Sequence, residues 1–380
     1  MASEFGTSLR VSVFGQSHSS GIGAVIDGLP AGEEVDLSAV WAFMARRAPG
    51  RLEYTTQRSE ADEAEILSGL LPGKKPDTMV SCGAPLAILI RNKDTRSQDY
   101  DNLRRLPRPG HADYTANCKY GGFQDVRGGG HFSGRLTAPL CFAGAVAKQV
   151  LARRGIEVGA HIARIGQTAD VPFDPVALSR EALLLPGTKS LAVTDDRAGL
   201  RMIDEILAAK NRLDSVGGIV ECGALGLPVG LGAPMFDGVE NRLAAALFGI
   251  PAVKGVEFGD GFGSAALLGS ENNDAYEYGP SGEVRTRTNH SGGILGGITN
   301  GMPLIVRAAF KPTPSISREQ DSIDLLEEKD AKLIIKGRHD PCIVTRAVAV
   351  VEAVAAVVLL DLLLSDVASW QKLEERRRQG

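Results

Sequence analysis

The chain has 380 residues, and its 42 lysines and arginines against 46 aspartates and glutamates leave a formal net charge of −4, which excludes nucleic-acid binding driven by overall charge. Hydrophobic residues at 43% and charged residues at 23% are ordinary globular values and exclude general disorder. Glycine is enriched, 45 of 380, about 12% against a usual ~7%, so tight turns and close approaches of backbone to ligand are expected.

Leu9 to Phe14 reads as a short strand, and the polar loop Gly15-Gln16-Ser17-His18-Ser19-Ser20-Gly21 joins it to a second apolar run, Ile22 to Ile26. Asp36 or Ser38 caps a helix through about Arg47, which Ala48-Pro49-Gly50 ends. Arg46, Arg47, Arg51 and Arg58 gather four guanidiniums there. Asn102 to Asn117 reads as a loop, with Pro107, Pro109 and Gly110 around His111. Arg127-Gly-Gly-Gly130 is a turn that feeds His131-Phe132-Ser133-Gly134-Arg135 into a helix ending near Gly155, with Pro139 about one turn inside it.

Pro172 to Asn211 is helix-rich, polar and peripheral. A second round begins at Ser215: a strand at Gly217 to Gly226, a helix at Val239 to Phe248, a strand at Val253 to Phe258, then Gly259-Asp-Gly-Phe-Gly263. The apolar run Ala347 to Leu364 carries Glu352 and Asp361, which points to a buried core helix rather than a membrane span. Gly23 to Pro30 echoes Gly218 to Pro228, and the loop that opens the helix after Arg135 echoes Gly337 to Cys342. Duplicated units around shared helices are therefore expected, in one domain over residues 1–380 with no Pro- or Ser/Gly-rich linker. Five scattered cysteines without a C-x-x-C pair give neither a disulfide framework nor a metal site. With no signal-like start, a cytoplasmic location is expected.

Four loops carry the chemistry. Gly15-Gln-Ser17-His18-Ser19 lacks the last glycine and the strand-to-helix setting of a hydrolase elbow, and it reads either as a functional pair or as a capped turn. Arg108-Pro-Gly-His111-Ala-Asp113 presents an imidazole between a guanidinium and a carboxylate, which suits an active-site tip or a simple His–Asp bond. Lys311-Pro312-Thr313-Pro314-Ser315 combines a cation and two hydroxyls on a stiff backbone, suited to phosphate, though it could be a plain Pro-rich turn. Gly337-Arg338-His339-Asp340-Pro341 precedes an apolar helix, with Asp340 expected to cap it. Gly259 to Gly263 is a poor dinucleotide fingerprint, and His161 reads as structural. Together the loops suit a multiply anionic small molecule.

These motifs, with Tyr54-Thr-Thr-Gln-Arg58, Arg96-Ser-Gln-Asp-Tyr100, Gly255-Val-Glu-Phe-Gly-Asp-Gly-Phe262 and Gly292-Gly-Ile-Leu-Gly-Gly297, occur in the order that resembles the chorismate synthases over nearly the whole chain. The resemblance implies an α/β (α+β) β-α-β sandwich, with helices packed between antiparallel sheets and an internal pseudo-repeat. The implied activity is that of a carbon–oxygen lyase acting on phosphates: 1,4-elimination of phosphate from 5-enolpyruvylshikimate 3-phosphate to give chorismate, in aromatic amino acid biosynthesis. Reduced FMN is needed although no net redox change occurs.

It implies catalytic roles for His18 (protonating the leaving phosphate), His111 (protonating the reduced flavin), and Asp340 with Ser17 (removing the ring proton). Arg47, Arg51, Arg108, Ser133 and Arg135 are the implied substrate ligands, joined by Arg338 in clamping the anions. The implied FMN ligands are His131, Phe132, Ser133, Ala252, Gly296, Lys311 to Ser315 and Arg338. It also implies a homotetramer, and a monofunctional enzyme whose flavin is reduced from outside, with NADPH as a source of reductant. The chain departs from the family in two places. His131-Phe132-Ser133-Gly134-Arg135 stands where Arg-Ser-Ser-Ala-Arg is usual, and Glu53 where an arginine is common. A flavoprotein oxidoreductase or a non-catalytic flavin binder are the competing expectations.

Overall fold

A computed structural model of the chain describes residues 3–48, 62–92, 103–335 and 340–379. The expectations for Arg51, Glu53, Tyr54, Arg58, Arg96 and the Gly337-Arg338-His339 triplet fall outside the described residues. One antiparallel sheet is built from β1 (Glu4–Phe5), β2 (Arg10–Gly15), β3 (Gly21–Asp27), β4 (Ala64–Ser68) and β5 (Leu86–Arg91), in the order β1-β2-β3-β5-β4. A second antiparallel sheet contains β6 (Glu157–Ile165), β7 (Thr168–Ala169), β8 (Gly218–Leu225), β9 (Val253–Phe258) and β10 (Leu304–Phe310), in the order β7-β6-β8-β10-β9. The echoing segments thus become β3 and β8, each the middle strand of its sheet, followed in both by the last strand and then the fourth.

Helices fill the space between the sheets. α1 (Leu37–Arg47) is capped by Asp36, whose carboxylate accepts from the Ala39 N–H at 3.2 Å. α2 (Asp113–Tyr120) starts inside the stretch expected to be loop, immediately after the His111 turn. α3 (Thr137–Ala152) places Pro139 in its first turn, where no intrahelical N–H bond is lost. α4 (Arg180–Leu184) and α5 (Asp196–Asn211) form the peripheral polar layer, and α6 (Val239–Phe248) and the short α7 (Gly269–Asn272) follow.

The apolar run is α8 (Val344–Ser365), which a last helix, α9 (Val367–Gln379), follows. Among the described residues α8 is the one helix long and apolar enough to cross a membrane, and 94% of its most apolar window is buried inside the fold. Its two acids are satisfied internally. Glu352 pairs with Arg46 at 2.7 Å and with Lys148, whose charges hold its carboxyl below the usual range against the opposing effect of burial. Asp361 accepts the N–H groups of Ser8 at 2.7 Å and Leu9 at 2.8 Å.

α3 and α8 cross where Gly144 meets Ala353, so closely that a side-chain carbon on Gly144 would overlap the Ala353 backbone. Val11, Ile22, Ile88 and Ile90 of the first sheet and Ile162, Val220 and Val306 of the second close over them as one buried core. The result is a β-α-β sandwich. At one end a hairpin, β11 (Gln320–Asp324) and β12 (Lys329–Leu333), buttresses the 103–108 segment: Ser322 Oγ donates to Pro107 O at 2.5 Å and Leu325 N to Arg105 O at 3.0 Å.

Candidate active site

A cleft of about 720 Å³ opens where α1, the triglycine loop, the Lys311–Ser315 loop and the start of α8 converge. That volume lies within the usual range for small-molecule sites. Gly128 of the triglycine turn lines it, and Gly128, Gly129 and Gly130 have φ of +58°, +83° and +54°. Side-chain-bearing residues rarely adopt that region. The two histidine loops meet on these glycines. A carbon added to Gly128 would fall 2.6 Å from Ser17 Oγ and 2.2 Å from the His18 ring, and one on Gly129 would lie 3.2 Å from His111 Nε2.

Ser17 and His18, at 1% and 7% exposure, pack against Gly128, which lines the cleft. Ser17 N donates to Gly130 O at 3.1 Å, and Asn92 Nδ2 donates to Ser19 O at 2.9 Å, fixing the loop. Ser17 Oγ is buried with no partner among the described residues.

His111 sits on the cleft wall. Its Nδ1 lies 2.6 Å from Asp113 Oδ1 and 3.1 Å from Arg108 Nη2. The shorter contact assigns the proton to Nδ1, since two donors cannot bond one another, and Nε2 is left toward Gly129 and the cleft. Asp113 also takes a bidentate pair from Arg108, Nε at 2.7 Å and Nη2 at 2.8 Å. Burial opposes ionisation of Asp113, but the hydrogen bonds and charges of Arg108 and His111 outweigh it and hold its carboxyl far below the usual range. Arg108 reaches on to Ser315 Oγ at 3.1 Å, which ties the His111 loop to the Lys311–Ser315 loop.

At the other wall Arg47 and Arg135 share Asp62, and Arg346 of α8 donates Nη1 to Asp340 at 2.6 Å and Nε to Arg47 O at 2.9 Å. Asp340 does not cap α8 as expected. The helix begins at Val344 with Ile343 at its cap, and Arg346 draws the carboxylate away. Burial, and Arg47 nearby, push the Arg346 guanidinium below its ordinary range.

The cofactor-side residues are placed unevenly. Ser133, Ala252, Lys311, Thr313, Pro314 and Ser315 line the cleft, and Lys311 N donates to Ala252 O at 3.0 Å. Ala252 is held at φ +75°, and Thr313 Oγ1 is buried without a partner among the described residues. Phe132 lines the cleft beside Tyr120, their ring centres 6.5 Å apart. His131 lines it too, but its ring nitrogens are engaged by Ser3 Oγ at 3.0 Å and Gly15 O at 3.2 Å.

Pro312 is absent from the lining. So is Gly296, because it turns the hairpin beside Gly238 at the start of α6, whereas the cleft lies at the far end of that helix, by Phe248 to Val253. With ten residues in α6, the two ends are about 15 Å apart.

The chorismate synthase family profile matches residues 9–364. A relative called chorismate synthase from Korarchaeum cryptofilum is 44% identical over 95% of this chain and 97% of its own length. One from Methanocella arvoryzae is 47% identical over 95% and 94%. The chain belongs to the chorismate synthase family. A solved crystal structure of a chorismate synthase superposes with a TM-score of 0.74 at 29% identity, covering 99% of this chain and 97% of that one. The activity that goes with the family is that of a lyase of the shikimate pathway.

Arg346, which lines this cleft, and Asp62 and Asn92, which hold its arginines from behind, had no signal in the sequence as site residues. Asp62 is one of several acids in Glu60-Ala-Asp62-Glu63-Ala-Glu65 that follow the arginine cluster, and Arg346 looks like any polar residue on the first turn of an apolar helix.

Proposed function

We propose that the cleft holds 5-enolpyruvylshikimate 3-phosphate beside reduced FMN and expels phosphate by a 1,4-elimination, giving chorismate without net redox change. The observation that carries the reading is the meeting of the Ser17-His18 and His111 loops on Gly128 and Gly129, next to a wall of arginines. The substrate carries a phosphate and two carboxylates, and forked guanidiniums match such groups.

The residues facing the cleft fit a flavin mononucleotide. Unpartnered Thr313 Oγ1, Ser315 and Lys311 suit the phosphate, and the bent Ala252 backbone and Phe132 suit the ring. Arg338 would join them. When bound, reduced FMN supplies an electron-rich surface against which the C–O bond to phosphate breaks. This chain's own residues manage the protons. His18 donates to the departing phosphate oxygen, which neutralises charge on the leaving group. His111, with Nδ1 held by Asp113, presents Nε2 to the cleft as the atom through which a proton passes toward the flavin. Asp340, held by Arg346, and Ser17 receive the ring proton as the new double bond forms. Arg47, Arg51, Arg108, Ser133 and Arg135 bind and orient the anions.

Reduction of the flavin from outside, by a separate reductase drawing on NADPH, completes the reading, with the enzyme itself monofunctional and cytoplasmic. A homotetramer is supported by exposed Phe236, Phe262, Leu268 and Tyr278 on one stretch of the chain. Sedimentation of the free enzyme tests the assembly. An anaerobic assay of phosphate and chorismate from 5-enolpyruvylshikimate 3-phosphate, with reduced FMN, oxidised FMN or no flavin, tests the activity. Turnover only with reduced FMN is expected, and a need for one NAD(P)H per turnover would instead mark an oxidoreductase.

A further inference from the structure

Asp62 has no part in the scheme above, yet its side chain is only 1% exposed and both of its oxygens are committed. Oδ2 accepts from Arg47 Nη1 at 2.6 Å, and Oδ1 from Arg135 Nη1. Both arginines line the cleft and Asp62 does not. Each guanidinium is further held from within the protein: Arg47 by Thr137 Oγ1 at 3.2 Å and Gly134 O at 2.9 Å, Arg135 by Asn92 Oδ1 at 3.2 Å. Two cations bonded to one carboxylate would repel one another without it, and each would regain rotamer freedom that substrate binding must then remove. With it, the two guanidiniums stand side by side in the lining of the cleft.

We infer that Asp62 is a positioning residue: it holds Arg47 and Arg135 side by side as a preformed clamp for an anionic group of the substrate, and acts on substrate only through them. The inference rests on the proposed function, because the clamp needs a polyanionic substrate to be of use. It differs from two alternatives that the geometry also admits. A plain structural ion pair would affect folding and leave binding alone. A competing internal anion would be displaced by substrate, so its removal would tighten binding.

The test is calorimetric binding of 5-enolpyruvylshikimate 3-phosphate to the enzyme with oxidised FMN, where no turnover occurs, for wild type, Asp62→Asn and Asp62→Glu. FMN affinity, kcat and KM are measured alongside. Asp62→Asn, which keeps the shape and loses the charge, should weaken substrate binding roughly 10- to 100-fold, the size of a lost hydrogen bond between charged groups. FMN affinity should be unchanged and the loss should fall mainly on KM. Asp62→Glu should recover part of it. Inorganic phosphate should raise the unfolding temperature of Asp62→Asn less than that of wild type, because the anion no longer meets a preformed pair of guanidiniums.

Substrate binding by Asp62→Asn that equals or exceeds wild type overturns the inference and leaves the functional reading standing. Equal losses of FMN and substrate affinity also overturn it, as general damage to the cleft. If Asp62→Asn does not fold, Asp62→Glu decides through the split between KM and kcat. Failure of wild type to bind the substrate overturns both.

Discussion

Replacing Gly128 by alanine tests how closely the catalytic loops are packed. Two effects separate. The first is backbone: φ of +58° is the left-handed region, which an alanine adopts at a cost of about 1–2 kcal/mol. The second is steric: the new carbon would stand 2.6 Å from Ser17 Oγ and 2.2 Å from the His18 ring. Ordinary contacts are near 3.5 Å, so the Ser17-His18 loop must retreat by about 1 Å. Misplacing a catalytic group by that much lowers turnover about 10²-fold.

Gly155→Ala is the control, since Gly155 also has positive φ, +77°, but nothing within 4 Å of the added carbon. Both variants should unfold at temperatures lower by a few degrees, and only Gly128→Ala should lose about 10²-fold in kcat under anaerobic assay with reduced FMN. Gly128→Ala with wild-type kcat, or Gly155→Ala equally inactive, would refute the placement of His18 beneath that glycine.

Other outcomes follow from the same contacts. His18→Ala and His111→Ala should each lower kcat about 10²–10⁴-fold while remaining folded, by steady-state assay and circular dichroism. Asp113→Asn should lower kcat and stability together, because it removes both the orientation of His111 and the bidentate partner of Arg108. Stability should fall at both ends of the pH scale in chemical unfolding. The carboxyls of Asp62 and Asp113 are depressed below their ordinary 3.8, so their contribution is present above about pH 4 and is lost as pH falls through the lower folded values. His161 is raised above its ordinary 6.5, since Asp170 and Glu221 on its two ring nitrogens outweigh burial. Its contribution is full below 6.5 and is lost as pH rises through the raised value. His161→Gln should remove that alkaline dependence. Thiol titration of the native protein should count Cys82 and Cys118 and reach the other three only on unfolding, because Cys141, Cys222 and Cys342 are buried and burial pushes the Cys141 and Cys342 thiols up to about 12.

Local chemistry was legible where it repeats or stops. Short apolar runs bounded by glycine or polar loops gave β2, β3 and β8, a cap and a terminating Ala-Pro-Gly gave α1, and the charge-poor run of α8 announced its own burial. α2 was missed because Asp113-Tyr-Thr-Ala-Asn-Cys-Lys-Tyr120 has no apolar face and follows two prolines. Asp340 was misread as a cap because Asp-Pro before an apolar run is the usual signal, and nothing local shows that the helix starts at Val344. The sharing of Asp62 by Arg47 and Arg135 joins residues far apart along the chain, and no periodicity records such a pairing. The motif loops were visible one by one, whereas their meeting on Gly128 and Gly129 depends on the sandwich that brings them together.

The most direct test of the account is the number of chorismate molecules formed per flavin oxidised, read anaerobically from the absorbance of product and flavin in one cuvette. The account predicts many turnovers with the flavin still reduced at the end. One product per flavin oxidised would contradict it, since the cleft would then be carrying out a net redox reaction.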